Sequence, residues 1–213
     1  MAENDYPLPH AVQFRGSVLA RWLLARLGWQ VHFQGFPALQ GVAIVYPHTS
    51  NWDFLYMILA KWALGIPARF WAKDSLFRVP VFGPWLRYLG GVPVDRSSSR
   101  GMVGSMADNF LNCKKESQYF WLGLSPEGTR KYTPGWRSGF YQVTHQAQVP
   151  LALIRLDYGR KEVRVDSFIR LTGDVTADYA RMVRQFEGVV GCRPEQAAPI
   201  RPVPISNASR ESS

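Results

Sequence analysis

Cysteine is scarce. The 213 residues hold only Cys113 and Cys192, without a CxxC spacing or a histidine-rich neighbourhood, so neither a disulfide framework nor a zinc site is indicated, and a reducing compartment is expected. Acids are also few, with Asp plus Glu at 16 against Lys plus Arg at 25 and a formal net charge of +9. Such a surface attracts anions: nucleic acid, anionic lipid headgroups or phosphorylated substrates. Long apolar runs are missing too. The best stretches, 17–29 and 52–64, are broken by Arg21, Arg26 and Lys61, short of the roughly 18 uncharged residues a membrane span requires. The opening MAENDYPLPHAVQFRG places acids and prolines where a secretory signal carries a basic stretch and then an apolar core, so export is not expected. No internal repeat is visible.

What is abundant is apolar and aromatic: 46% hydrophobic residues and 14% aromatic, including 8 Trp and 12 Phe. That is a globular composition, in a length suited to one core and one domain. Near the start, SVLARWLLARLGWQ clusters Leu19, Trp22, Leu23, Leu27 and Trp29 with Arg15, Arg21 and Arg26. This suits a helix lying at a lipid headgroup boundary. A helix packed on the core with its arginines in water fits the same pattern.

From residue 42, strand-like and helix-like runs alternate: VAIVYP then 51–64, ARFWAK then about 75–89, GVPVD then 100–116. The strand-like QYFWLGL, PLALIRLDY and EVRVDSF follow, with a helix near 138–147. The rhythm predicts an α/β fold, a central mostly parallel or mixed sheet flanked by helices, preceded by the N-terminal amphipathic helix. The helix at 100–116 is the clearest, because Val103, Met106, Phe110 and Cys113 recur at helical spacing. The expected organisation is an amphipathic, membrane-surface segment over 1–40, the main domain over 41–191, and a flexible Pro/Ser-rich tail over 192–213.

Within YPHTSNWDFLYMILAKW, His48 and Asp53 stand five positions apart. On one continuous helix they would diverge by about 140°. Pro47 closes the strand, however, and Thr49, Ser50 and Asn51 are natural caps, so the helix can start with Asp53 in its first turn while His48 stays on the loop. A carboxylate there can turn back to bond one ring nitrogen and leave the other basic, the arrangement of a general base. Taken alone the spacing arises often by chance. His10 lies in the terminal segment, His32 in an amphipathic region, and His145 on a helix-like run with no acid within five residues; all three read as structural.

Some seventy residues on, GLSPEGTRKYTPGW ends a strand and supplies Glu127, Gly128, Thr129 and Arg130: an acid, a flexible glycine and a guanidinium able to grip phosphate or carboxylate with paired bonds. In isolation the segment is an ordinary surface turn. Between the two blocks, Lys73 follows RFWA and Arg96 follows GGVPVD, each a cation just beyond a strand end, where ligands bind in open α/β sheets.

Together the blocks resemble the glycerophospholipid acyltransferase family, which includes the lysophosphatidate acyltransferases. HTSNWD matches its His-x4-Asp block, GGVPVDR its glycine-to-arginine block, Glu-Gly-Thr-Arg at 127–130 its third, and VPLALI its proline-containing strand, in order over roughly 40–158. The resemblance implies His48 as general base with Asp53 orienting it, and Lys73, Arg96, Glu127, Gly128, Thr129 and Arg130 as phosphate and acceptor contacts. It implies no metal and no bound cofactor, acyl-CoA or acyl carrier protein as donor, and a lysophospholipid acceptor, with 1-acyl-glycerol-3-phosphate leading. A cytoplasmic protein held peripherally on the anionic cytoplasmic face of a membrane is expected. Ser125 and Pro93 depart from the family's pattern, which leaves open another lysolipid, including an amino-acid lipid. A nonenzymatic module that docks on anionic membranes is the rival from another class. Nucleic acid is not an expected partner, since the basic residues are dispersed and no known motif is present.

Overall fold

A computed structural model describes residues 4–94 and 99–203. The chain opens with helix α1 (Val18–Arg26), strand β1 (Gln30–Phe33), strand β2 (Gln40–Tyr46) and helix α2 (Trp52–Leu64). Strand β3 (Arg69–Lys73), the short helices α3 (Asp74–Phe77) and α4 (Phe82–Tyr88), and strand β4 (Gly91–Val94) follow. Helix α5 (Ser99–Lys115), β5 (Phe120–Leu124), α6 (Gly139–Ala147), β6 (Leu151–Asp157), β7 (Glu162–Val165), β8 (Phe168–Ile169), α7 (Val175–Gln185) and a short 3-10 helix (Pro194–Gln196) complete the order. They form one α/β domain around a mixed sheet, β1-β7-β6-β2-β5-β3-β4, with β8 pairing β6.

Strands β6, β2, β5, β3 and β4 are mutually parallel, whereas β7 and β8 run antiparallel to β6. The parallel block therefore opens all five carboxyl ends along one edge, where the loops carrying His48, Lys73, Glu127 and Tyr158 emerge.

The two sheet faces are built differently, following the alternation of side chains along a strand. Val42, Ile44, Leu122, Leu151 and Leu153 meet Phe110, Phe140, Val143 and Met182 of α5, α6 and α7. The opposite face uses the smaller Ala43 and Ala152, which admit the fully buried Trp121 and let α1 and α2 approach through Leu24, Ala60 and Ala63. Trp121 stacks on Phe36 at 4.0 Å between centroids. Its register partner across the ladder is Gly41.

Several expectations are corrected. The single helix expected over 75–89 is two short helices broken at Val79–Val81, where Pro80 stands. The 1–40 segment is not a separate appendage, since β1 pairs β7 in the sheet and Trp29 and Phe36 are core residues. Helix α7 was not anticipated, although its signals are present: Asp174 caps it by accepting from the Ala177 amide, and Tyr179, Met182 and Phe186 are buried at helical spacing. The described part of the expected flexible tail is also ordered. Its backbone exchanges bonds with Trp136, Trp136 N–H to Arg201 O (2.7 Å) and Val203 N–H to Trp136 O (3.0 Å), and Ala198 is buried. Its described residues include a short 3-10 helix, Pro194–Gln196, and its backbone groups find partners on the domain. Residues 204–213 lie outside the described residues.

A Cβ placed on Gly41 would lie 2.3 Å from the Trp121 ring. Gly41→Ala is therefore expected to lower unfolding free energy by about 1–3 kcal/mol through overpacking, measured by urea denaturation. Wild-type stability would mean that the ring can move aside.

Candidate active site

The loop between β2 and α2 carries His48, and two buried carboxylates hold it. On its ring side, Asp53 stands in the first turn of α2 and is fully buried. One carboxylate oxygen, Oδ2, lies 3.2 Å from His48 Nδ1 and accepts the backbone N–H groups of Thr49 (2.7 Å) and Ser50 (2.8 Å). The other, Oδ1, accepts the Tyr158 hydroxyl at 2.6 Å. Burial pushes the Asp53 carboxyl upward in pKa, but the bonds from His48, Tyr158 and the Ser50 amide outweigh it and hold it below the usual carboxylate range. Asp53 thus reaches back from the first turn to tie down the preceding loop, while the first helical amide, Trp52 N–H, donates to Ser50 Oγ at 3.2 Å and Asn51, in the cap position, makes no side-chain cap bond.

His48 itself is 20% exposed at its side chain while Asp53 is at 0%. With Nδ1 engaged, Nε2 on the far edge of the ring is the atom left to take or give a proton.

On the backbone side, Glu127 is 1% exposed and spends both oxygens on amides: Oε2 accepts His48 N–H at 2.6 Å and Oε1 accepts Ala198 N–H at 3.0 Å. It ties the loop after β2, the loop after β5 and the C-terminal segment into one knot. The sequence reading had Glu127 as a phosphate or acceptor contact. A buried carboxyl group with both oxygens committed does not fit that role; it is an anchor for the histidine loop.

The other expected residues separate. Gly128 takes φ +67, and a Cβ there would lie 2.7 Å from Cδ and Nε of Arg137, so its bareness admits that side chain alongside the loop. Thr129 Oγ1 accepts the Lys131 amide at 3.3 Å and closes a local turn. Arg130 is exposed, and its carbonyl approaches the Gln196 amide, whose nitrogen, oriented by its hydrogen-bond network, donates to Arg130 O (2.6 Å) and Thr49 O (3.2 Å). The His48 and Arg130 loops are therefore bridged. Lys73 is exposed at the end of β3, two strands from β2 and so about 10 Å away along the sheet. Arg96 lies outside the described residues.

Sequence reasoning missed several members. Tyr158 follows β6, the neighbour of β2, and is wedged by the rings of Trp29 (4.9 Å) and Tyr56 (5.8 Å). Arg137 lies across Gly128. The C-terminal segment completes the loop's surroundings, with Arg193 N–H donating to Thr49 Oγ1 at 3.0 Å. None had a sequence signal, because each is brought in by strand order or by backbone bonds. The remaining histidines lie elsewhere: His10 sits edge-on to Phe168, His32 faces Glu162 and His145 stacks on Tyr141.

Burial, reinforced by the nearby charge of Asp53, raises Glu127 to about 7 despite the amides of Ala198 and His48, which lower it. Between the ordinary value of 4.5 and about 7 the folded state then holds a proton that the unfolded state has lost, so stability falls as pH rises through this window. Asp53 contributes in the opposite sense, its stabilisation being present above its ordinary 3.8 and lost at lower pH. Glu127→Gln is expected to remove the fall, which is on the order of 3 kcal/mol in wild type. Thermal melts across pH 4 to 8 check this (roughly the span of the two groups); identical pH slopes in the two proteins would contradict it.

A family model described as Acyltransferase matches residues 29–156. A 1-acyl-sn-glycerol-3-phosphate acyltransferase of Streptococcus pneumoniae (strain ATCC BAA-255 / R6) is 33% identical over 89 residues, which are 41% of this chain and 31% of that protein. The chain thus spans under a third of that relative's length. In three dimensions the chain is similar to the crystal structure of the 1-acyl-sn-glycerophosphate acyltransferase from Thermotoga maritima, with a TM-score of 0.46, 17% identity, and coverage of 76% of this chain and 70% of that one. With the family model covering more than half of its residues, from β1 to the end of β6, the chain belongs to the acyltransferase family.

Proposed function

We propose that this protein transfers a fatty acyl group from an acyl thioester, acyl-CoA or acyl carrier protein, to the hydroxyl of a lysophospholipid, with 1-acyl-glycerol-3-phosphate the leading acceptor. The observation that carries the proposal is the His48 ring held at Nδ1 by the fully buried Asp53. His48 Nε2 removes the acceptor's hydroxyl proton as the oxygen attacks the thioester carbonyl. The new C–O bond forms, the C–S bond breaks, and the departing thiolate takes the proton from the imidazolium. No acyl-enzyme forms and no bound cofactor or metal takes part. Asp53 keeps the proton on Nδ1 and stabilises the imidazolium; Tyr158, whose hydroxyl is held protonated by burial and by the Asp53 charge, fixes Asp53.

The acceptor phosphate is assigned to the exposed Arg130 with Arg137, which lies across Gly128 of the same loop, since guanidinium groups bind phosphate in pairs of bonds. Lys73 extends the same strand-end edge, Arg96 is kept as a phosphate contact on the family resemblance alone, and Gly128 and Thr129 shape the loop. A lipid acceptor suits Trp52 and Leu55, exposed on α2 next to Asp53. The location that goes with this reading is the cytoplasmic face of an anionic membrane, as a peripheral protein. A module that only docks on membranes has no use for a buried carboxylate aligned on a loop histidine.

The test is incubation of the purified chain with acyl-CoA and a panel of lysolipids, following free thiol and product mass. His48→Ala is expected to lower transfer by about 10²- to 10⁴-fold with an unchanged circular dichroism spectrum. Arg130→Ala is expected to raise KM for a phosphate-bearing acceptor by about tenfold, the loss of one charge-assisted contact, with a smaller effect on kcat. Full activity in His48→Ala, or a burst of thiol release marking an acyl-enzyme, would overturn the mechanism.

A further inference from the structure

The layer formed by α1, α2, α3 and α4 is unlike the rest of the surface. Every exposed tryptophan among the described residues, Trp22, Trp52, Trp62 and Trp85, lies on it. Among the described side chains, the helices on the opposite face of the sheet expose only Leu111, Val175 and Val183 as large apolar residues. The elements of this layer are locked together: Phe54 of α2 packs on Trp85 of α4 (6.1 Å) and Lys61 Nζ donates to Leu89 O.

Its most unusual part is the connection between α3 and α4. Phe82 N–H donates to Pro80 O at 2.7 Å, closing a γ-turn centred on Val81 at φ 66, ψ −50. A β-branched residue there is strained. The strain projects an apolar side chain into solvent, for Val81 is 85% exposed, flanked by Val79 at 46% and Phe82 at 38%, with Tyr88 at 83%. Residues 73–94 carry Lys73, Arg78 and Arg87 against one acid, Asp74, which pairs with Arg78 at 2.6 Å. Packing within the chain accounts for none of this exposure.

From this geometry we infer that the α3–α4 tip is a membrane-insertion element, entering the headgroup region of an anionic phospholipid bilayer beside the site. The occupant follows from two properties of the tip: an apolar apex bordered by Trp and Tyr suits the boundary between acyl chains and water, and the surplus of Lys73, Arg78 and Arg87 over Asp74 complements an anionic surface. Insertion also has a consequence for chemistry. The tip follows Lys73 and packs through Trp85 against α2, whose first turn carries Asp53, so His48 is held close to the leaflet from which a lysolipid must come. The inference builds on the lipid-acceptor reading, but its measurement needs no acyl transfer.

The experiment is partition onto vesicles of dioleoylphosphatidylglycerol mixed equally with dioleoylphosphatidylcholine, using the full chain without acyl donor. Val81→Asp is expected to weaken partition about tenfold, the loss of one inserted valine and the entry of a charge. Val81→Gly relieves the strained turn, so it is expected to hold or raise the melting temperature while still weakening partition, a combination that misfolding cannot produce. Val183→Asp, on α7 across the molecule, is expected to partition as wild type. Unchanged partition in both Val81 variants, an equal loss in Val183→Asp, or a Val81→Asp effect confined to self-association in light scattering would overturn the inference. If the wild type transfers no acyl group but the Val81 pattern holds, the acyl-transfer reading fails alone.

Discussion

A loop histidine is free to point anywhere unless something fixes both its ring and its backbone, and here two buried carboxylates do so from opposite sides. Asp53 holds the ring nitrogen and Glu127 holds the main-chain amide. Burying two carboxylates close together is costly, since each loses its water and each raises the other's energy. The structure offsets that cost by filling their lone pairs with backbone N–H groups, a tyrosine hydroxyl and the imidazole. The result is a rigid base whose geometry depends on four segments distant in sequence: the turns after β2, β5 and β6, and the chain around Ala198.

The parallel block makes this convergence possible. Strands β6, β2 and β5 are neighbours with a common direction, so the residues just past their ends, Tyr158, His48 and Glu127, necessarily emerge side by side. The core supports the same arrangement. Small residues on one sheet face let α2 lie close to the strands, which brings its first turn, and Asp53 with it, under the histidine loop. A change in the core beneath β2 would be felt at the site through this helix and not through direct contact.

Much of this was legible in the sequence, but unevenly. The alternation of strand-like and helical runs carried the fold class, and the caps following Pro47 correctly separated His48 from the helix that holds Asp53. The role of Glu127 was not readable, because an acid in a glycine-containing turn looks solvent-facing until its two amide partners are known. Tyr158 was invisible for a related reason: a tyrosine after a strand becomes meaningful only when strand order puts it beside Asp53. The C-terminal segment misled because its composition speaks to intrinsic structure, whereas its order comes from backbone bonds to Trp136 and Glu127. Strand β1 was not separated from the amphipathic segment that precedes it.

The account stands or falls on which nitrogen of His48 carries the proton in the resting protein. Nitrogen-15 chemical shifts of the His48 ring, recorded on the neutral imidazole at mildly alkaline pH, report this directly. The account requires the proton on Nδ1, facing Asp53, with Nε2 bare, and a shift of tautomer population when Asp53 is replaced by asparagine. A ring protonated at Nε2, or one indifferent to that replacement, would contradict it.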